Sequence, residues 1–156
     1  MARVSILVAT LGASLIGLVG PASAQDAPQI DQSKLYVSDP NACAAIESKG
    51  GEAWMESDFI SLSFDGGLQG NEFQCHFMDV KTLTSRGFIF VSSICELPGE
   101  IYPDTLAITP YDDKTIQVVS SYDTAMVAAG KFEPGTQAAE GTLFHRCDNL
   151  SEIHFD

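Results

Sequence analysis

Four cysteines and three histidines are the residues of this chain best suited to hold a metal or to attack a substrate. The cysteines are Cys43, Cys75, Cys95 and Cys147. His76 directly follows Cys75, and His145 precedes Cys147 by two residues. Neither arrangement has the C-x₂-C or H-x₃₋₅-H spacing of zinc ligands, and no C-x-x-C redox motif occurs. We therefore expect no metal site and no cofactor, and expect the thiols to form two disulfide bonds.

Nucleophilic catalysis is not indicated by the serines either. The sequence has no G-x-S-x-G motif, and Ser92 and Ser93 fall within a predicted strand, where serine is commonly an outward polar residue. With the cysteines in disulfide bonds, no thiol nucleophile remains. We predict no catalytic residue.

Carboxylates are the remaining candidates for chemistry, because the chain has 21 acidic residues. Several of them border the Pro- and Gly-rich segment 97–104 and the turn 110–114, which form a joint surface if both lie at one end of the fold. The candidate binding residues at these two places are Glu100, Tyr102, Asp104, Tyr111 and Asp112. Irregular loops on a rigid scaffold commonly carry recognition. A glycosidase would need two carboxyl groups at a set separation, and a solvated acidic face is the simpler interpretation.

The first 24 residues have the pattern of a secretory signal peptide. A single basic residue, Arg3, precedes an apolar run to about Val19, and small residues at Ala22 and Ala24 predict cleavage after Ala24. The run is shorter than the roughly 20 residues that cross a bilayer. We expect a soluble protein in an oxidising compartment, most simply the bacterial periplasm, where disulfides persist.

Behind the signal peptide, residues 25–37 are predicted to be a flexible lead-in, and residues 38–156 a single β domain with two disulfides. Within the lead-in, the apolar residues 35–37 either add an edge strand or pack on the domain. Asp39 as N-cap, Pro40 and the pair Gly50-Gly51 predict one short helix over 38–51.

Alternation of apolar and polar residues predicts about six strands. They are 57–64, 70–80, 87–96, 105–109, 115–122 and 141–147. We predict an irregular loop over 97–104 and a further loop over 123–139, with a helical turn near 124–129. The fold class is mainly β, a small antiparallel barrel or sandwich.

A hairpin register predicts how the cysteines pair. If strands 70–80 and 87–96 fold about position 85, Cys75 lies opposite Cys95, and Asp79 lies opposite Val91. Opposed residues have Cβ atoms within reach of a disulfide. Cys43 is then left to pair with Cys147.

The excess of acidic over basic residues limits the classes of molecule that the protein can bind. Cleavage would remove Arg3 and leave 7 basic against 21 acidic residues, a formal net charge of −14. Such a surface repels nucleic acid and anionic lipid and attracts cations. We expect a binding or accessory protein of the periplasm or cell envelope whose partner is a cationic protein or peptide. A small periplasmic hydrolase using carboxylates and a structural envelope component are the alternatives.

In outline, an exported β domain with two disulfides and an acidic surface resembles the bacterial periplasmic lysozyme inhibitors. Those proteins bind a cationic enzyme through a short Ser-Gly-containing loop that ends in tyrosine. This sequence has no counterpart of that loop, so the resemblance assigns no family and no site residue.

Overall fold

The structure is a computed structural model that describes residues 28–56, 58–83, 87–133 and 141–151. The predicted signal peptide, its cleavage point after Ala24 and the first residues of the lead-in lie outside the described residues. Among the helices of the described ranges, none is long and apolar enough to cross a membrane.

Eight antiparallel strands form a closed barrel in which each strand pairs with its neighbours in the sequence and β1 pairs with β8. The strands are β1 (Leu35–Val37), β2 (Ser61–Ser63), β3 (Gly67–Gln69), β4 (Gln74–Leu83), β5 (Phe88–Leu97), β6 (Glu100–Pro110), β7 (Thr115–Ser120) and β8 (Thr142–Cys147). The predicted mainly β class is confirmed. The sequence left open whether the fold is a barrel or a sandwich, and it is a barrel. The predicted number of six strands is wrong.

The two additional strands, β1 and β3, have three residues each. So short a strand shows at most one alternation of apolar and polar residues, and all three residues of β1 are buried. β1 pairs with both β2 and β8, so it is an interior member of the barrel and not an edge strand.

The segment 97–104 is not the irregular loop that Pro98, Gly99 and Pro103 predict. Pro98 and Gly99 form a two-residue turn between β5 and β6, in which Gly99 has a φ of 84°, as a type II turn requires. Pro103 lies inside β6, opposite Ile94 of β5. On its other side β6 is paired with β7 only from Leu106 onwards, and a strand without a partner on one side accommodates a proline.

The helices lie in two of the segments between strands. α1 (Ala42–Lys49), a 3₁₀ turn (Gly50–Glu52) and α2 (Ala53–Glu56) connect β1 to β2, while α3 (Ser121–Ala128) follows β7. The predicted N-cap is wrong by two residues, because Asn41 occupies that position. Asp39 instead accepts a hydrogen bond from the backbone N–H of Asn41 at 2.9 Å, in a turn ahead of the helix.

The apolar side chains form two cores, one on each side of β1. Tyr36 points into the barrel, where it joins side chains such as Ile108 and Phe144. Leu35 and Val37 point outward and pack with α1 and α2. Because its side chains point alternately to the two sides, β1 contacts both the barrel core and the helical segment.

Both predicted disulfide pairings are confirmed. Cys75 lies directly opposite Cys95 on β4 and β5, with Cα atoms 3.9 Å apart, and Cys43 of α1 is bonded to Cys147 at the end of β8. The predicted register is wrong beyond Phe77, since a bulge places Asp79 opposite Ser92 and not opposite Val91. A bulge inserts one extra residue into a strand, which the alternation pattern does not reveal.

One end of the barrel is closed by the segment before β1. Ile30 packs against the barrel core, and the hydroxyl group of Tyr36 donates a hydrogen bond to the backbone carbonyl of Asp31 at 3.0 Å. We call the opposite end, where β5 ends and β6 begins, the mouth.

Candidate functional site

Three of the five predicted binding residues lie together at the mouth. Glu100, Tyr102 and Asp104 alternate along β6 on the same side as the interior residues Leu106 and Ile108. They belong to a strand and not to the predicted loop.

Tyr111 and Asp112 lie at the other end of the barrel, in the turn after Pro110. Residues 105–110 of β6 separate Asp104 from Tyr111, which places them roughly 23 Å apart at the usual rise of a strand. The joint surface that the sequence predicted therefore does not form.

Asp104 fastens α3 to the start of β6. Its side chain is buried, with 7% of the residue exposed, and it accepts four hydrogen bonds. The donors are the backbone N–H groups of Thr105 (2.7 Å) and Tyr122 (2.9 Å) and the hydroxyl groups of Ser120 (2.6 Å) and Ser121 (2.8 Å). Both carboxylate oxygens of Asp104 are thus used to hold the structure.

Ser120 is the N-cap of α3 and connects two acidic residues. Its hydroxyl group donates to Asp104 and accepts the backbone N–H of Asp123 at 3.0 Å. This cap places Asp123 in the first turn of the helix, beside a cavity at the mouth.

A stacked pair of tyrosines forms one side of the mouth. The rings of Tyr102 and Tyr122 have centroids 3.8 Å apart and planes inclined by 22°. The hydroxyl group of Tyr122 donates to the carboxylate of Glu100 at 3.0 Å. The start of β6 and the first turn of α3 are therefore joined by packing through Tyr102 and by a hydrogen bond through Glu100.

Between β6 and α3 the barrel contains this cavity, which has a volume of about 250 Å³. Its deeper wall is apolar and includes Leu68, Leu106, Val118 and Phe144. Tyr102, Asp104, Tyr122 and Asp123 contribute its polar lining. A hollow of about 430 Å³ adjoins it and shares Ile60, Phe73, Leu97 and Thr142 with it.

Burial and the neighbouring carboxylate of Asp104 both raise the pKa of Asp123. Burial, followed by the charges of Asp123 and Asp104, raises the pKa of Tyr102 to about 12. Among the residues that the structure describes, none donates a hydrogen bond to the carboxylate of Asp123. The cavity therefore combines apolar walls with one carboxylate that has no donor within the described part of the protein.

Sequence reasoning missed Asp123, and it predicted only a helical turn where α3 lies. The spacing Ser120-x-x-Asp123 is a capping-box pattern, which would have predicted the start of a helix at this point. The predicted helical turn near 124–129 lies three residues too late. The rest of the loop predicted over 123–139 lies partly outside the described residues.

In the described ranges, no group of three or more His, Cys, Asp and Glu side chains is arranged to hold a metal ion. His145 instead lies 3.4 Å from the hydroxyl group of Thr115. Comparison with known protein families, with curated proteins and with solved structures found no match.

Proposed function

We propose that this chain is an exported, acidic binding protein of the periplasm or cell envelope, and that it binds a cationic protein or peptide at the mouth of its barrel. The observation that carries the proposal is the cavity between β6 and α3, which has apolar walls and a carboxylate, Asp123, that accepts no hydrogen bond from the described residues. Concave, mostly apolar sites with a few convergent polar groups are the usual form of ligand sites.

The overall charge supports the same proposal. After cleavage following Ala24 the chain would carry 21 acidic against 7 basic residues. A charge of this size steers a cationic partner towards the protein and weakens association with nucleic acid. Exposed acidic residues at the mouth, such as Glu100, would extend this attraction beyond the cavity.

Affinity capture from envelope extract tests the proposal. The bait is the mature protein, compared with a mouth variant, E100Q/D123N, and with a variant of equal charge, D65N/D113N, whose substitutions lie in turns at the opposite end. We expect a saturable partner that elutes as salt rises, because salt screens surface charge. The mouth variant should lose this partner, and the control variant should retain it.

Capture that is unchanged in the mouth variant would reject the mouth as the binding site. Tight association with peptidoglycan or outer-membrane fractions, without a saturable partner, would instead indicate a structural envelope component.

A hydrolase that uses carboxylates is the second candidate, and one observation favours it. Asp123 has a raised pKa and lies close enough to Asp104 to be influenced by its charge, as one member of a carboxylate pair often is in glycosidases. Assays of the purified protein against glycan and ester panels test this function. Turnover that disappears in D123N and persists in D113N would replace the binding proposal.

A further inference from the structure

We propose that the mouth cavity is a site for an alkylammonium group, with the charged head at Asp123 and the apolar stem against Leu106, Val118 and Phe144. The inference rests on the proposed binding function and names the chemical group that the site recognises.

The charged head is placed at Asp123 and not at Asp104 because the two carboxylates differ in how many hydrogen bonds they already accept. Asp104 already accepts four hydrogen bonds, so its oxygens are occupied by donors of β6, β7 and α3. Asp123 lines the same cavity, and within the described residues its carboxylate has no donor. An ammonium group supplies up to three N–H donors and a compensating charge, which are the two things that this carboxylate requires.

The two tyrosines favour a cation over a neutral donor. Tyr102 and Tyr122 line the cavity together with Asp123, and their rings stack on each other. Aromatic faces attract an ammonium group through their quadrupole, and do so more strongly where water is displaced. Tyr102 also has a hydroxyl group that no described residue hydrogen-bonds, so it can accept one of the ammonium protons.

The stem position follows from the rest of the wall. Leu106 is almost completely buried, and Phe144 and Val118 lie beside it. An apolar cavity of about 150 Å³ is large enough to hold benzene, and this cavity is about 250 Å³. A linear chain of about six carbons therefore fits, whereas a bare metal ion would leave the apolar walls without a partner.

This chemistry has two natural sources, the side chain of a lysine in a peptide and a small free amine. Both present an ammonium group on a flexible methylene stem. The same cavity accommodates either, and a comparison of peptide and amine affinities distinguishes them.

Titration with n-hexylammonium tests the inference, with 1-hexanol as the neutral probe of nearly equal shape. We expect saturable binding of hexylammonium by calorimetry and by two-dimensional NMR, with hexanol weaker by about tenfold or more. The shifted amide signals of the wild-type protein should cluster at Leu106, Val118 and Asp123 and leave the turn around Asp113 unchanged.

The variants D123N and D113N complete the test. Each removes one negative charge, but only Asp123 lines the cavity. We expect D123N to lower hexylammonium affinity about tenfold and to leave hexanol affinity unchanged, while D113N affects neither. Dispersed NMR spectra would show that both variants are folded. Equal affinity for hexylammonium and hexanol, or full hexylammonium affinity in D123N, would overturn the inference.

A blocked tetrapeptide, Ac-Ala-Lys-Ala-Ala-NH₂, separates the two sources when it is compared with its lysine-acetylated form. Tighter binding of the peptide than of hexylammonium identifies a protein side chain as the ligand, and tighter binding of hexylammonium identifies a free amine. If neither probe binds, the alkylammonium site is rejected. The broader binding proposal would still stand if the mouth variant lost its captured partner.

Discussion

Tyr102 on β6 and Tyr122 on α3 stack with ring centroids 3.8 Å apart, which joins the barrel wall to the helix that follows β7. Beneath the pair, Asp104 of β6 accepts the backbone N–H of Tyr122. Strand and helix are therefore connected by two different interactions, through alternate residues of β6. The cavity that we propose as the ligand site lies against this connection.

The ionisation of Tyr102 reports on the acidic environment of the mouth. We expect its phenol to titrate with a pKa of about 12, because burial and the charges of Asp123 and Asp104 oppose the phenolate. In D123N the pKa should fall. The pKa can be measured by NMR of ¹³Cζ-labelled tyrosine, with Tyr102→Phe to assign the resonance.

The raised pKa of Tyr102 also makes the stability of the folded protein depend on pH. Folding favours the neutral phenol, so this contribution is fully present below pH 10 and is lost as the pH rises from 10 towards 12. A Tyr102 pKa at its ordinary value, or one unchanged in D123N, would contradict the described surroundings of the ring.

Replacing Asp104 should loosen α3. Asp104→Asn preserves the shape of the side chain, but its NH₂ group replaces one of the two accepting oxygens and cannot accept a hydrogen bond. At the Oδ2 position it loses the bond from the Ser120 hydroxyl group, and at the Oδ1 position it loses those from Ser121 and the backbone N–H groups. We expect the free energy of unfolding to fall by about 2–3 kcal/mol in urea denaturation. Amide exchange at Tyr122 and Asp123 should quicken as well.

D113N serves as the control for Asp104→Asn, since Asp113 is exposed in a turn and its replacement should change stability by less than about 0.5 kcal/mol. If the two variants proved equally stable, Asp104 would not hold the helix as described.

Gly67 should tolerate no side chain. Its φ is 83°, and a Cβ atom built on it would lie 1.9 Å from the carbonyl oxygen of Cys75 on the neighbouring strand. Gly67→Ala must therefore displace the backbone of β3 or β4, and we expect a loss of about 4 kcal/mol or failure to fold.

Gly99 provides a matched comparison because its φ is 84° and a Cβ atom at this position would meet nothing within 4 Å. Gly99→Ala carries only the conformational penalty, about 1 kcal/mol. Thermal unfolding of both variants separates the two effects, and similar losses would show that the contact with Cys75 is not what requires glycine.

The disulfide between Cys43 and Cys147 should stabilise the protein strongly. It closes a loop of 104 residues and ties α1 to the last strand of the barrel. On the chain-entropy account, replacing both cysteines by alanine removes up to about 5 kcal/mol, against about 3 kcal/mol for the Cys75–Cys95 pair with its separation of 20 residues. Urea denaturation of the two double variants measures both values. A larger loss for Cys75–Cys95 would show that packing inside the barrel outweighs loop closure.

Local features whose signals repeat within a few residues could be predicted from the sequence. Alternation over 70–80 and 87–96 predicted a hairpin, and that hairpin placed Cys75 opposite Cys95. The remaining two cysteines could then only pair with each other. The predicted end of the helix at Gly50 is also a local feature. Gly50 has a φ of 59°, which glycine adopts without steric cost.

The closure of the barrel and the composition of its mouth depend on contacts that the sequence does not reveal. β1 is stabilised by β8, which is far away in the sequence. β3 pairs with the strands next to it in the chain, but its three residues are too few to show a period. Pro103 fits in β6 because β7 does not reach it, a condition that depends on strand lengths elsewhere in the chain. The length of β6 also separated Tyr111 and Asp112 from Asp104, while the cap at Ser120 brought Asp123 to the cavity instead. The local pattern of a strand shows which of its faces is buried. Which residues come together at one end of the barrel depends instead on how the strands pair over long distances in the sequence.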